Sequence, residues 1–435
     1  MKPVNVGIVG LGTVGSGTFN VLSRNCEDIA RRAGREILVT HVGARRDNPN
    51  ANTSSVKVSR DIFDVVSDAD VDIVVELIGG TTVARDLVMK AIENGKHVVT
   101  ANKALIAEYG NEIFTAAQKK GVNVAFEAAV AGGIPIIKAI REGLSANRIA
   151  WVAGIINGTG NFILTEMAEK GRDFDDVLKE AQALGYAEAD PTFDVEGVDA
   201  AHKLTILASI AFGIPLQFEK VYTEGISKIT REDVSFAEEL GYRIKHLGVT
   251  RQTASGVELR VHPTLIPEQC LIANVNGVMN AVMAQSDAVG PTLYYGPGAG
   301  SEPTASAVVA DVVDVARALT TDPNNRVPHL AFQADQLSDQ PILPIEEVET
   351  GYYLRMHVKD QPGVMAKIAT VLSESQINIE SIIQKDQADE SSPVPLILVV
   401  RKVVESKMNQ ALEKIRALGV LADDVVRIRL ETLDS

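Results

Sequence analysis

The sequence has few cysteines, few aromatic residues and no long hydrophobic run. Its 435 residues include two cysteines, Cys26 and Cys270, and one tryptophan. Two cysteines so far apart exclude a disulfide framework and a cysteine-based zinc site, and we expect both to be buried free thiols in a reducing cytosol. The most apolar stretch, 205–216, is too short for a membrane helix, which needs about 20 residues. We therefore expect a cytoplasmic protein that does not bind a membrane.

Basic residues are scarce relative to acidic ones. Lys and Arg number 42 against 57 Asp and Glu, so the formal net charge is −15 at pH 7. A negative surface repels phosphate backbones, which excludes general nucleic-acid binding. The 46% of hydrophobic and 23% of charged residues are ordinary for globular proteins and exclude disorder of the whole chain. At about 150 residues per domain, the length favours roughly three domains.

Short β-rich runs alternate with amphipathic helical segments over the first third of the chain. The predicted strands are 4–9, 37–44, 71–78, 95–100 and 122–126. The predicted helices are one that ends near 33, then 85–94 and 104–119. This alternation predicts a parallel sheet with helices on both faces, the arrangement of a doubly wound nucleotide-binding domain.

A glycine motif lies between the first predicted strand and the first helix. Gly10, Gly12 and Gly15 form the pattern G-x-G-x-x-G. Gly10 would allow a tight turn, Gly12 would let the backbone approach a pyrophosphate, and Gly15 would permit close packing of helix against strand. The helix N-terminus then offers N–H groups to the anion. The alternative is a glycine-rich turn without a ligand.

Two arginines follow the second predicted strand. NAD-binding domains usually carry Asp or Glu at this position, to bind the ribose hydroxyls. Here Arg45 and Arg46 would attract a 2′-phosphate instead, which favours NADP. The nearby Asp47 keeps NAD open as a second cofactor, and two solvated surface arginines are the alternative.

A small, glycine-rich segment, 127–135, separates the nucleotide-binding pattern from a second region, and we interpret it as a hinge. The second region mixes predicted strands and helices, as in an α+β domain. Its predicted strands are 149–156, 221–229, 257–262 and 280–287. Its predicted helices are 136–142, one that is N-capped by Asp173 and ends at 184, and 200–212.

Carboxylates are concentrated just before the apolar helix 200–212. They are Glu188, Asp190, Asp194, Glu196 and Asp199. Asp199 and Lys203 lie four residues apart, so they share one helix face. One interpretation is an acidic loop with a surface ion pair. The other is a site in which Glu188 or Asp194 binds a cationic amino group, while Lys203, oriented by Asp199, protonates the alkoxide that hydride transfer creates.

Several motifs together resemble those of homoserine dehydrogenases, specifically the monofunctional bacterial type with a C-terminal ACT domain. They are G-x-G-x-x-G at 10–15, T-A-N-K at 100–103, the segment 127–135, N-G-T-x-N at 157–161, G-Y-A-E-A-D-P-T at 185–192, and the segments 194–204 and 296–304. The resemblance covers essentially the whole chain. It implies an oxidoreductase that reversibly reduces L-aspartate 4-semialdehyde to L-homoserine with NAD(P)H, in threonine, methionine and isoleucine biosynthesis.

The resemblance also implies residue roles. Lys203 is the implied proton donor and acceptor, and Lys103 is a second active-site lysine. The implied substrate-binding residues are Gly185, Glu188, Asp194 and Asp199. The implied cofactor-binding residues are Gly10, Gly12, Thr13, Val14, Gly15, Arg45, Arg46, Thr100, Lys103, Gly300 and Glu302. A sodium ion is implied at the Glu127 carboxylate and the backbone carbonyls of Val130, Gly132 and Ile134. Ser301 or Thr304 would cap a helix that runs to about 319.

The pattern of the C-terminal region predicts that it forms a separate module after a linker. The predicted strands are 352–358, 377–384, 395–403 and 425–430, and the predicted helices are 364–374 and 405–418. This βαββαβ order is ferredoxin-like. The opening D-x-P-G resembles an ACT domain, which implies L-threonine as effector, with Asp360, Gly363, Val364 and Asn378 as candidate regulatory residues. A purely structural or dimerising module is the alternative, and edge-to-edge pairing would give a homodimer or homotetramer.

The complete prediction is an α/β chain of three modules. A Rossmann-type domain comprises 1–130 plus about 303–322, a central α+β catalytic and dimerisation domain comprises 131–302, and an ACT domain, 351–435, follows a linker, 323–350. A Rossmann-plus-ACT hydroxy-acid dehydrogenase and a non-enzymatic amino-acid sensor are the alternatives. The N-terminal position of the glycine motif disfavours the first, and intact Lys103, Glu188, Asp199 and Lys203 disfavour the second. Because the motif begins within ten residues of Met1, we expect no fused aspartokinase.

Overall fold

The structure is a computed structural model that describes residues 2–384 and 393–433. The strands, in chain order, are β1 (Val4–Val9), β2 (Ile37–Gly43), β3 (Lys57–Ser59), β4 (Ile73–Glu76), β5 (His97–Thr100), β6 (Val124–Ala125), β7 (Ile149–Ile155), β8 (Tyr222–Thr223), β9 (Tyr242–Gln252), β10 (Val257–Pro267), β11 (Met279–Ser286), β12 (Gly290–Pro297), β13 (Glu349–Val358), β14 (Ile379–Gln384), β15 (Val394–Val404) and β16 (Val426–Leu430).

Helices connect most of these strands. In chain order they are α1 (Thr13–Arg24), α2 (Cys26–Ala33), α3 (Phe63–Ser67), α4 (Thr82–Glu93), α5 (Lys103–Lys120), α6 (Ile136–Lys138), α7 (Gly158–Lys170), α8 (Phe174–Ala183), α9 (Thr192–Val195), α10 (Val198–Phe212), α11 (Arg231–Glu239), α12 (Ser301–Ala318), α13 (Val364–Glu374) and α14 (Glu405–Ala417). None of the helices in the described ranges is both long and apolar enough to cross a membrane.

The chain forms two compact units, each built from segments that are distant in sequence. The first unit comprises Met1–Gly158, Asp199–Val221 and Val278–Gln340. The second unit comprises Thr159–Val198, Tyr222–Gly277 and Pro341–Ser435. Helix α10 therefore belongs to the first unit, although the acidic loop that precedes it belongs to the second.

The first unit contains a six-stranded parallel sheet in the order β3-β2-β1-β4-β5-β6. This is the strand order of doubly wound dinucleotide-binding domains, so the predicted fold class is confirmed. Helices α1 and α12 pack into one apolar core with β1, through side chains such as Phe19, Leu22, Val308 and Val312. The same unit contains a separate antiparallel group of strands, β12-β11-β7.

The second unit contains a mixed sheet in the order β9-β10-β16-β13-β15-β14. Its last four strands, with α13 and α14, have the βαββαβ order that the sequence predicts for the C-terminal module. One face of that module packs on α13 and α14, and the other packs on α7, α8 and α11. Its terminal strand β16 pairs in parallel with β10, so the hairpin β9–β10 extends the module's sheet.

Several element predictions were wrong in the second unit. The predicted strand 221–229 is only the two-residue β8, and Ile226 and Ile229 are buried from an irregular segment. Strand β9 was missed because it carries Arg243, Lys245 and His246, and charged or polar residues are typical of an exposed loop. Lys245 and His246 are nevertheless buried. Strands β3 and β12 were also missed.

Smaller errors concern ends and breaks. The predicted helix that ends near 33 is interrupted at Asn25, and the predicted helix 136–142 is α6 followed by a π-helical turn. Strand β13 begins at Glu349, inside the predicted linker. Cys26 is exposed and Cys270 half-buried, so the expectation of two buried thiols was wrong; both cysteines are free.

Candidate active site

A cavity of about 830 Å³ lies where β1, β2 and β4 end in the parallel sheet. The glycine motif forms one wall. Gly10 has a φ of 96°, and a Cβ there would lie 2.6 Å from the Leu77 carbonyl oxygen. A Cβ on Gly15 would overlap the carbonyl of Gly10, whereas a Cβ on Gly12 would meet open space. Gly10 and Gly15 therefore set the turn, and the open space at Gly12 fits the close approach of a pyrophosphate.

Helix α1 starts directly at this cavity. Its N-cap is Gly12, which provides no side chain to bind the first N–H groups, and Thr13 and Val14 form the start of the first turn. Thr13 is exposed and Val14 half-buried. Free N–H groups at a helix N-terminus are a favourable place for an anion, so this turn fits the phosphates of a dinucleotide.

Basic side chains surround the end of β2. Arg45 and Arg46 line the cavity and are exposed. Asp47, the acidic residue that kept NAD open, is bound 2.8 Å from Arg60, which also donates to the Ala44 carbonyl over 3.2 Å. Arg60 was not predicted, because the strand that precedes it, β3, has only three residues. In a parallel sheet the ends of β2 and β3 lie at one edge, and a recognised β3 would have placed Arg60 there.

Two lysines share one buried carboxylate in the first unit. Lys103, the first residue of α5, lies 2.9 Å from one oxygen of Asp199, and Lys203 lies 2.7 Å from the other. The Asp199 side chain is 5% exposed and that of Lys203 is 11% exposed. The predicted pairing across one turn of α10 is confirmed, and the alternative of a surface ion pair was wrong.

Further polar contacts fix this pair. The amide of Asn157 donates to Asp199 over 2.8 Å, and the Lys203 ammonium donates to the Ile156 carbonyl over 2.7 Å. Burial alone would raise the pKa of Asp199, but the charges of Lys203 and Lys103 and these hydrogen bonds outweigh it and hold the pKa well below its usual range. Asp199 is therefore ionised at neutral pH, and its one carboxylate is shared by two lysine side chains. Asn157, just after β7, was not predicted as a contact of Asp199.

The acidic loop of the second unit presents its carboxylates differently. Glu188 is exposed and Asp194 half-buried in α9. Gly185 follows α8 with a φ of 75°, in the left-handed region. The Thr159 hydroxyl donates to the Tyr186 carbonyl over 2.6 Å, which fixes the loop backbone. The loop is therefore held through its backbone, and the Glu188 carboxylate points to solvent.

The start of α12 differs from its prediction. Gly300, with a φ of 123°, is the N-cap and no side chain caps the helix, so the prediction of Ser301 or Thr304 was wrong. The Ser301 hydroxyl instead donates to the Thr13 carbonyl over 2.8 Å. Glu302 forms an exposed ion pair with Arg24 at 2.8 Å, which joins α12 to α1.

The predicted sodium ligands lie near α6. Both oxygens of the Glu127 carboxylate accept N–H groups, from Ile137 over 2.8 Å and from Lys138 over 2.9 Å. Burial and the charge of Asp311 raise the pKa of Glu127 to about 7. Each oxygen of this carboxylate therefore already accepts one backbone N–H group, which leaves fewer lone pairs for a cation.

The backbone carbonyls are the remaining predicted ligands, and that of Ile134 accepts the N–H of Ile136 over 2.8 Å. Val130 is buried and Gly132 has a φ of 46°. No cluster of three or more His, Cys, Asp or Glu side chains in the described part of the chain could hold a metal ion. The sodium ion stays a prediction that rests on the resemblance alone.

The predicted regulatory residues lie around the start of α13. Gly363 is its N-cap with a φ of 86°, and Val364 is buried as its first residue. Asp360 and Asn378 are exposed, and the Asn378 carbonyl accepts the N–H of Arg401 over 3.0 Å. An exposed carboxylate beside a helix N-terminus has the two charges needed to bind an amino acid, and the regulatory role stays a prediction.

The dinucleotide-binding fold, the glycine turn and the Lys–Asp–Lys group define a nicotinamide-dependent oxidoreductase with a C-terminal amino-acid-binding type of module. Family models agree: residues 10–127 match the model described as homoserine dehydrogenase, NAD binding domain, residues 135–313 match homoserine dehydrogenase, and residues 352–420 match the ACT domain. The chain belongs to the homoserine dehydrogenase family, and the resemblance inferred from its motifs is confirmed.

Relatives match along the whole chain. The homoserine dehydrogenase of Pseudomonas aeruginosa is 70% identical and that of Neisseria gonorrhoeae 57% identical, each with 100% of both chains covered. The crystal structure of a homoserine dehydrogenase from Thiobacillus denitrificans has a TM-score of 0.95 at 65% identity, with 100% of this chain and 99% of that chain covered. A hyperthermophilic archaeal homoserine dehydrogenase in complex with NADPH has a TM-score of 0.62 at 26% identity, over 72% of this chain and 98% of that one.

Proposed function

We propose that this homoserine dehydrogenase reversibly reduces L-aspartate 4-semialdehyde to L-homoserine, with Lys203 as proton donor to the carbonyl oxygen. The observation that carries the proposal is the buried Asp199, which binds both Lys203 and Lys103. When bound, the nicotinamide supplies the hydride. An ammonium beside the carbonyl stabilises the alkoxide that develops on oxygen and can deliver a proton to it.

The residues around Lys203 have complementary roles in this proposal. Asp199 and the Ile156 carbonyl orient the ammonium, since each accepts one of its N–H groups. Lys103 adds a second positive charge beside the developing alkoxide. In the reverse direction the neutral amine of Lys203 accepts the hydroxyl proton of homoserine.

Substrate recognition is assigned to the loop between α8 and α10, as the resemblance implies. Glu188 and Asp194 would attract the substrate ammonium, and Gly185 would bind the substrate without a side chain in the way. The support is electrostatic: this loop concentrates carboxylates, which attract the ammonium group of an amino acid. The loop's fixed backbone keeps those carboxylates in place.

NADP is the proposed cofactor, with NAD as a weaker alternative. Arg45 and Arg46 would bind the 2′-phosphate, and the ion pair between Asp47 and Arg60 removes the acidic charge that would repel it. The archaeal relative whose structure is in complex with NADPH supports the same choice. Thr100, Gly300 and Glu302 remain proposed cofactor-binding residues, and the reaction is placed in the cytoplasm.

Regulation and assembly follow from the C-terminal module. L-Threonine is the proposed effector, bound near Asp360 and the start of α13. Strand β16 of the module pairs with β10, while β14 lies at the other end of the sheet in the described part of the chain. A second copy would therefore pair along β14, which favours a homodimer or a homotetramer. The functional division into 1–130 with about 303–322, 131–302 and 351–435 is part of the same proposal.

One assay tests the reaction and its regulation. Purified protein is mixed with L-aspartate 4-semialdehyde and NADPH, NADPH oxidation is followed by absorbance, and L-homoserine is measured by chromatography. We expect semialdehyde-dependent oxidation, faster with NADPH than with NADH, and inhibition by added L-threonine. The absence of turnover with both cofactors contradicts the reaction. Turnover that threonine leaves unchanged, together with an unchanged melting temperature, contradicts the regulation only.

A further inference from the structure

We infer that Glu76 is a positioning residue that holds the loop at the cofactor cavity and the start of the helix that carries Lys103. Glu76 is the last residue of β4, and its side chain is fully buried in the first unit. Its influence on the reaction would pass through the loop and helix that it binds, and the inference therefore rests on the proposed function.

The first set of Glu76 contacts is with the loop after β4. One oxygen of the Glu76 carboxylate accepts the N–H groups of Ile78 over 2.9 Å and of Gly79 over 3.2 Å. Gly79 and Gly80 both have left-handed φ values, 71° and 70°, so this loop has an unusual backbone shape. The loop lines the cavity that fits the dinucleotide, and the carboxylate therefore fixes part of that cavity's wall.

The second set of contacts connects Glu76 to the start of α5. The other oxygen of Glu76 accepts the Thr100 hydroxyl over 2.6 Å, and that hydroxyl accepts the N–H of Asn102 over 3.0 Å. Asn102 is the N-cap of α5, where its side-chain oxygen accepts the N–H of Leu105 over 3.1 Å. The next residue is Lys103, which binds Asp199. A short run of hydrogen bonds thus connects Glu76 to the residue that precedes the second active-site lysine.

The loop after β4 and the start of α5 also contact each other. The amide of Asn102 donates to the Gly80 carbonyl over 2.7 Å, which closes a ring of contacts through Glu76, Thr100 and Asn102. Because the ring is closed, the cavity loop and the N-terminus of α5 are held at a fixed separation. Cofactor binding and the position of Lys103 therefore depend on the same carboxylate.

The ring also explains why a carboxyl group is found at this position. Burial raises the pKa of Glu76, while the Thr100 hydroxyl and the two backbone N–H groups lower it. A buried carboxyl without these donors is costly, because each unpaired oxygen has lost its hydration without gaining a partner. A Gln at this position has a single acceptor oxygen, so it cannot accept from both the Thr100 hydroxyl and the loop N–H groups, and one side of the ring is lost.

The test compares four variants by NADPH affinity, kcat, KM and melting temperature. In Glu76→Gln and Thr100→Val we expect NADPH to bind about tenfold more weakly and kcat to fall about tenfold. Thr100→Ser keeps the hydroxyl that donates to Glu76, so we expect it to restore most of the NADPH affinity and kcat that Thr100→Val loses. Glu112→Gln is the matched control, because Glu112 lies on α5 in an exposed ion pair with Arg85. NADPH affinity is measured by fluorescence titration without substrate.

The readouts separate positioning from stability. A role in stability alone would lower the melting temperature and leave the NADPH affinity of the folded protein unchanged, which would overturn the inference. Wild-type affinity and kcat in both Glu76→Gln and Thr100→Val would overturn it as well. If Glu76→Gln does not fold, Thr100→Val carries the test. If the wild type binds NADPH but does not reduce the semialdehyde, the proposed function fails, while the affinities still decide the role of Glu76.

Discussion

Asp199 has three donors on one buried carboxylate, so it supports the structure and, in the proposed reaction, positions Lys203. Its partners Lys203, Lys103 and Asn157 come from α10, α5 and the end of β7. Removing Asp199 would leave two lysine cations close together without their counter-charge, which is strongly destabilising. Variants of Asp199 would therefore change stability and activity together. Substitutions at the lysines or at the cofactor arginines separate the two effects.

The cofactor arginines give a prediction at the scale of single residues. In the double variant Arg45→Ala with Arg46→Ala, KM for NADPH should rise about tenfold or more, because charge-assisted hydrogen bonds to the 2′-phosphate are lost. KM for NADH should change less than about twofold, since NADH has no 2′-phosphate. Arg31→Ala, at an exposed position on α2, is the control. An equal rise in KM for NADPH and for NADH would show that the two arginines do not bind the 2′-phosphate.

Single residues were predictable where their chemistry conflicts with their local sequence. Lys203 was found because a lysine at the start of an apolar helix is out of place, and Arg45 and Arg46 because they replace an expected acidic residue. Glu76, Arg60 and Asn157 were not found, because each looks like an ordinary polar residue at the end of a strand. Their partners are distant in sequence, and only the folded chain shows the contacts.

At the scale of elements, buried ion pairs join β10 to β16. Arg260 on β10 is fully buried and lies 2.8 Å from Glu258 and 2.5 Å from Glu431, just after β16. Glu431 also binds Arg251 on β9. Buried charges of this kind stabilise only as complete pairs, because each needs a partner to offset its lost hydration. The junction between the hairpin and the C-terminal module therefore depends on both strands being in place.

This junction predicts a measurable loss of stability. Glu431→Ala should lower the free energy of unfolding by roughly 3 kcal/mol, because it leaves Arg260 and Arg251 without their shared partner. Denaturant unfolding measures the loss, and Glu413→Ala, at an exposed pair on α14, is the control. Equal stability of Glu431→Ala and the control would contradict the role of the pair.

The loss of unfolding free energy in Glu431→Ala should depend on pH in a direction that the pKa of Glu431 sets. Burial alone would raise the pKa of Glu431, but Arg260 and Arg251 outweigh it and lower the pKa. A carboxyl whose pKa is depressed on folding stabilises the protein above its ordinary pKa, near 4.3, and loses this contribution as the pH falls below that value. The difference between wild type and Glu431→Ala should therefore be full at pH 7 and shrink in acid.

Elements were predictable where hydrophobic periodicity is clean. The alternation of five of the six parallel strands with helices, all but β3, and the βαββαβ order of the C-terminal module were both predicted, and α13 has the predicted bounds. Strand β9 and the second half of β10 were missed because their buried polar residues hide the apolar pattern. The predicted strand 221–229 was wrong because buried isoleucines in an irregular segment imitate one.

At the scale of the whole molecule, sequence order and spatial order differ. The prediction divided the chain into consecutive modules with one returning helix, whereas the structure assembles each unit from three segments. Helix α10 and the loop before it fall in different units, although they are adjacent in sequence. Local patterns report which elements form, but long-range packing decides which elements share a core. The activity was predicted from the family resemblance, whose motifs lie in both units, and not from the division into modules.

The most direct test of the central claim compares semialdehyde-dependent NADPH oxidation by the wild type and by Lys203→Ala, with NADPH affinity measured on the same samples. Lys90→Ala, at an exposed position on α4, is the control. The variant should bind NADPH as the wild type does and turn over about 10²–10⁴ times more slowly, since it lacks the proton donor. A wild-type rate in Lys203→Ala would contradict the assignment of Lys203 as the proton donor.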